Sequence, residues 1–128
     1  MKILVSDERL KSYKPYNDFL SENKGIGYLK IRAFTASEAV PIVNLNITVT
    51  KEIGEYDVIF FEGVTDSSGM INDIALPACD RSISNLEVPS CAVYNVSAKK
   101  DKFNENFYNV KVYNGIKTLT TINGGSYD

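Results

Sequence analysis

From residue 27 onward, apolar and polar side chains exchange places at nearly every second position, the period of a strand with one face on a core. In GYLKIRAFT (27–35), Leu29, Ile31 and Ala33 alternate with Tyr28, Lys30, Arg32 and Phe34. PIVNLNITVTK (41–51) repeats the pattern: Val43, Leu45, Ile47 and Val49 face one way, Asn44, Asn46, Thr48 and Thr50 the other. YDVIFFEGVTD (56–66) and GMINDIALP (69–77) follow, joined by T-D-S-S-G, in which Asp66 can accept backbone hydrogen bonds and Gly69 can adopt positive φ. This arrangement predicts a hairpin. CAVYNVSA (91–98), FYNVKVY (107–113) and IKTLTTIN (116–123) complete the set, with KKDKFNEN and an Asn-Gly turn between them. Short strands at this spacing, with no helices between them, predict an all-β fold: a seven-stranded antiparallel β-sandwich.

The first 26 residues read differently. SDERLKSYKPYNDFLSENK is polar, helix-compatible and free of glycine. Pro15 forbids one helix from Ser6 to Asn23 but suits a first helical turn, which predicts a short helix over about residues 15–23. Tyr16, Phe19 and Leu20 share one stripe of it, expected to cover an end of the β core, and Gly25 is the expected terminator. The division is a lead-in at 1–26, a sandwich at 27–123 and a tail at 124–128. MKILVSDERL holds an apolar run of only four residues, too short for a signal peptide, and no later stretch approaches a membrane span. A cytoplasmic chain without a membrane span is expected.

Composition narrows the function classes. At 128 residues and 44% hydrophobic content the chain is one ordinary globular domain, able to bury about two-thirds of its surface without metal or disulfide. Lys and Arg number 14 against 16 Asp and Glu, so the basic surplus behind nucleic-acid affinity is missing and no nucleic-acid partner is expected. The chain has no His, which removes the commonest general base and zinc ligand. Cys79 and Cys91 bracket a loop that a disulfide would close if their Cα atoms came within about 7 Å; buried free thiols are the alternative. Two Cys without His complete no tetrahedral metal site, and no cofactor is expected.

Candidate chemistry is sparse. D-S-S-G at Asp66 to Gly69 lacks the alternating ligands and closing Glu of a calcium loop, so turn chemistry accounts for it. Glu62, Asp66 and Asp73 are the only acidic trio close to one expected hairpin, with Glu62 and Asp66 on one face of a regular strand; charged hairpin edges explain them without a glycosidase. Ser97 and Lys100 have S-x-x-K spacing but neither an oxyanion loop nor a helix start. Catalytic residues are therefore none. Tyr28, Tyr108 and Tyr113 remain as candidate ligand-binding rings, able to stack on sugars or pack on a partner.

The ordered runs G-Y-L-K-I-R-A-F-T, P-I-V-N-L-N-I-T-V, T-D-S-S-G-M-I-N-D-I-A-L-P, Y-N-V-S-A and Y-N-V-K-V-Y-N-G-I resemble carboxypeptidase-regulatory-like, transthyretin-like β-sandwich modules with an Ig-like architecture. The resemblance covers about residues 27–123. It is nearest to the N-terminal module of clostridial spore-cortex-lytic enzymes, where a Y-x-x-F-L segment like Tyr16-Asn17-Asp18-Phe19-Leu20 precedes G-Y-L. The resemblance implies a stand-alone, non-catalytic accessory module, cytoplasmic or spore-associated, with a protein partner or cell-wall glycan as its target. The ending N-G-G-S-Y-D departs from the apolar exit of that pattern. A sister family of surface adhesin modules joins Lys to Asn through a buried Glu. At the matching Y-x-L-x-E this chain has Tyr94-Asn95-Val96-Ser97-Ala98, so the carboxylate is a methyl group and no such cross-link is expected.

Overall fold

The computed structural model describes residues 3–6, 10–35, 40–78, 92–100 and 103–123. Among these lie β1 (Ile3–Ser6), α1 (Lys14–Glu22), β2 (Gly25–Phe34), β3 (Asn46–Ile53), β4 (Tyr56–Val64), β5 (Met70–Ala78), β6 (Ala92–Lys100), β7 (Phe103–Val112) and β8 (Lys117–Asn123). They form a five-stranded sheet, β1-β4-β3-β6-β7, and a three-stranded sheet, β5-β2-β8. The inward rows of both, including Leu29 and Ile31 of β2, Ile47 and Val49 of β3, and Val96 and Ala98 of β6, lose essentially all contact with water in one core. The fold is mostly β, as the alternation predicts.

Three expectations need correction. The first is strand number and direction: the described residues form eight strands instead of seven, and the sheets are mixed instead of antiparallel throughout. The extra strand comes from the lead-in, whose Ile3–Ser6 run pairs in parallel with β4, Val5 opposite Val58. β2 and β8 are also parallel, from Tyr28 opposite Lys117 to Phe34 opposite Asn123. Both pairs are far apart in sequence, so no tight turn imposes an antiparallel course.

The second concerns T-D-S-S-G. Its turn chemistry is as read: Asp66 Oδ1 accepts from the Ser68 N–H at 2.8 Å and the Met70 N–H at 3.0 Å, and Gly69 has φ of +73°. Yet the turn forms no hairpin, because β4 belongs to the larger sheet and β5 to the smaller. Beyond the turn the chain is captured by β2, with the Ala33 N–H donating to the Gly69 carbonyl at 2.7 Å.

The third concerns the end of α1. Pro15 occupies its first turn, and Tyr16 and Phe19 are buried. Asn23, not Gly25, ends it: Asn23 Nδ2 donates to the Phe19 carbonyl at 2.9 Å and its backbone N–H to the Leu20 carbonyl. Gly25 instead opens β2. The stripe docks on the chain's own core, where Phe19 and Tyr16 stack against Phe60 of β4 at 5.8 and 6.3 Å.

Candidate functional site

The acidic candidates are dispersed. Glu62 is exposed on the outer face of β4, opposite Thr48, beside a shallow depression of about 500 Å³ that also reaches Asn46, Val64 and Lys99. Asp66 lies beyond the end of β4 and is spent on its turn, so the two share no strand face. Asp73 is on the other sheet, in a left-handed backbone conformation (φ 54°), with its carboxylate 2.7 Å from Lys117 Nζ. Ser97 faces outward on β6, whereas Lys100 Nζ donates to the Val43 carbonyl. No group of three Asp, Glu or Cys side chains converges among the described residues. Cys79 and Cys91 lie outside the described residues.

Of the tyrosines, Tyr28 is exposed and Tyr113 half-buried. Tyr108 belongs to β7, and its side chain lies outside the described residues. Tyr28 and Tyr113 are brought to the same end of the three-stranded sheet by a close backbone crossing. The turn after β7 runs directly over the start of β2: the Ile26 N–H donates to Asn114 Oδ1 at 3.1 Å, the Gly115 N–H to the Ile26 carbonyl at 2.8 Å, and the Tyr28 N–H to the Ile116 carbonyl at 3.0 Å. Only glycines permit this approach. A Cβ on Gly27 would overlap Val112 Cγ1 and the Tyr113 carbonyl, and one on Gly25 would overlap the Asn114 amide.

The outcome is a distinctive outer face on β5-β2-β8. Because Leu29, Ile31 and Ala33 point inward, Tyr28, Lys30, Arg32 and Phe34 point outward. Register sets Lys117 beside Tyr28, Leu119 beside Lys30, and Thr121 beside Arg32. On the other flank Pro77 lies beside Ile26 and Ala75 beside Tyr28. Ile26, at the start of β2, and Leu119, beside Lys30, are 50% and 54% exposed, high for aliphatic side chains on one sheet face. The Arg32 guanidinium sits 4.9 Å from the centre of the Phe34 ring. A depression of about 280 Å³ bounded by Asn23, Lys24, Ile26, Ala75 and Pro77 closes one end of the strip. Sequence reasoning found Tyr28 but missed Ile26, Lys117 and Leu119; the available signal was the large apolar residues at outward positions of β2 and β8.

A second cluster is enclosed beneath α1. Lys51 points inward from β3, with Nζ 5.3 Å from the Phe19 ring centre and 5.8 Å from that of Tyr94, and donates to the Val93 carbonyl at 3.0 Å. Burial lowers its pKa from the usual lysine value. Tyr94 is pushed far above the usual phenol value, first by burial and then by the neighbouring Tyr16. These groups carry cation–π and hydrogen-bond contacts that seat the helix. Ala98, at the position of the sister family's carboxylate, is buried in the core opposite Ile47.

No protein-family model matches the chain, and no curated protein matches it. Among solved structures, a 9R-lipoxygenase from Cyanothece aligns at 14% identity with a TM-score of 0.37. That alignment covers 80% of this chain but only 16% of the lipoxygenase, and a likeness of that strength carries no argument about function.

Proposed function

We propose that this chain is a non-catalytic binding module that works through the outer face of its three-stranded sheet, accessory to proteins that process cell-wall or spore-cortex peptidoglycan. The observation that carries the reading is the set of exposed apolar side chains Ile26, Tyr28 and Leu119 among Lys30, Arg32 and Lys117 on one sheet face. The dispersal of Glu62, Asp66 and Asp73 over two sheets and a turn supports a role without catalysis. The cell-wall target follows from the family resemblance of the strand motifs. Co-sedimentation with purified cortex peptidoglycan, together with retention of wall proteins from lysate, tests it: retention of either is expected, and failure of both removes the reading.

A second reading, assembly by strand addition, is favoured by one observation. β1 is a four-residue strand held on the β4 edge of the larger sheet, with Leu4 57% exposed. Such a strand is suited to exchange between copies. Sedimentation velocity over a wide concentration range decides it: species that grow with concentration favour assembly, and a constant monomer excludes it.

A further inference from the structure

We infer that the ligand of the β5-β2-β8 face is a carboxylate-bearing polysaccharide, stacked on Tyr28 and held by Lys30 and Arg32; this rests on the binding-module reading above. Charge complementarity points to an anion. The whole chain is net negative, yet the described residues of these three strands hold three cations, Lys30, Arg32 and Lys117, against the single carboxylate of Asp73. Lys117 is matched with Asp73 at 2.7 Å, an exposed pair, whereas among the described residues Lys30 and Arg32 face no carboxylate and Arg32 rests on the Phe34 ring.

The kind of anion follows from what the face lacks. β2 is the central strand, its backbone groups paired with β5 on one side and β8 on the other, so around Tyr28, Lys30 and Arg32 the face offers side chains and not a backbone edge. Lys30 and Arg32 occupy successive outward positions of β2 between Tyr28 and Phe34, and the chain has no overall basic surplus, which is a poor match to a nucleic-acid backbone. A polysaccharide suits both features: sugar rings present apolar faces to Tyr28 and Ile26, and carboxylates carried on the rings reach the cations. Tyr28 and Arg32 are separated by about 13 Å along the strand, which suits an oligosaccharide better than a single sugar. The depression beside Lys24 and Pro77 lies at the end of this track, where a terminal ring would fit.

The test uses the full chain and oligogalacturonate, with its methyl ester as the uncharged counterpart, followed by calorimetry. Oligogalacturonate should bind and weaken as salt is raised, and the ester should bind at least tenfold more weakly. Tyr28→Ala and Arg32→Gln should each lose about tenfold while keeping the wild-type melting temperature, and Thr48→Ala on the opposite sheet should change nothing. Equal binding of acid and ester, or wild-type binding by both face variants, overturns the inference. So does equal or tighter binding of poly-glutamate or a single-stranded oligonucleotide, which would assign the face to another class of polyanion. Should the Tyr28→Ala, Arg32→Gln double variant still co-sediment with cortex peptidoglycan, the inference fails while the binding-module reading survives.

Discussion

The Tyr94 hydroxyl of β6 donates a hydrogen bond to the Pro77 carbonyl of β5 at 2.5 Å, tying the five-stranded sheet to the three-stranded one through a side chain that is 1% exposed. The same ring packs edge-on against Phe60 at 5.4 Å and under Lys51. One residue thus links both sheets and the helix-covered end of the core.

Tyr94→Phe should cost about 1 kcal/mol at neutral pH, the net worth of one hydrogen bond. Its larger effect lies at alkaline pH. The folded state holds the phenol proton well above the ordinary value of 10.0, so stability falls as pH rises past 10.0, where only the unfolded chain releases it. Lys51 acts in the opposite sense: its lowered pKa makes stability rise as pH climbs from the folded value toward 10.5. Urea unfolding of wild type and Tyr94→Phe between pH 7 and 11 separates them. The wild-type decline above pH 10 should flatten in the variant, and parallel curves would contradict the role given to Tyr94.

Gly27→Ala should be far worse than Gly115→Ala. A methyl at Gly27 collides with Val112 and with the Tyr113 backbone, which cannot move without separating β2 from the turn that crosses it. A loss of about 3 kcal/mol is expected. At Gly115 nothing lies within 4 Å of the added carbon, and the penalty is that of a left-handed φ of +75° alone, about 1–2 kcal/mol. Chemical denaturation of both variants checks the order.

Thr65→Val should destabilise by about 2–4 kcal/mol despite its matching shape. Thr65 Oγ1 donates to the Ile42 carbonyl at 2.6 Å and accepts from the Leu45 N–H at 2.9 Å, at a site only 1% exposed. Valine would bury both backbone groups without partners. Serine should recover most of the loss, and a serine variant no more stable than valine would show that the hydroxyl is not responsible.

Phe19→Ala should cost about 3–5 kcal/mol, because the ring is enclosed by Phe60 and the Lys51 ammonium beneath α1. Lys14→Ala, which removes an exposed i,i+4 pair with Asp18, should be nearly neutral. Equal losses from the two would mean that α1 is held by its surface charges and not by its buried stripe. Thermal melts suffice.

Much of this molecule can be read one strand at a time. The inward and outward sides of β2 follow the alternation, and those of β3 follow it from Asn46 onward, although ahead of the strand Ile42 and not Val43 is buried, because Asn44 takes a left-handed turn; the Asp66 turn and the docked Tyr16 and Phe19 stripe follow from local chemistry. The candidate site was half legible: Tyr28 stands out as an outward aromatic, whereas Leu119 and Lys117 become its neighbours only through a parallel pairing of strands nearly ninety residues apart.

The amino-acid pattern by itself determined which residues of β2 and β3 share a face, because side chains on any strand alternate across it whatever its partners; it did not foresee that Lys51 would point inward and Leu119 outward. Only the tertiary structure decided which strands share a sheet. T-D-S-S-G and Asn-Gly could each close a hairpin, yet both carry the chain from one sheet to the other, since the hydrogen bonds that select a partner come from distant backbone. Ile3–Ser6 likewise becomes a strand only because β4 offers it an edge.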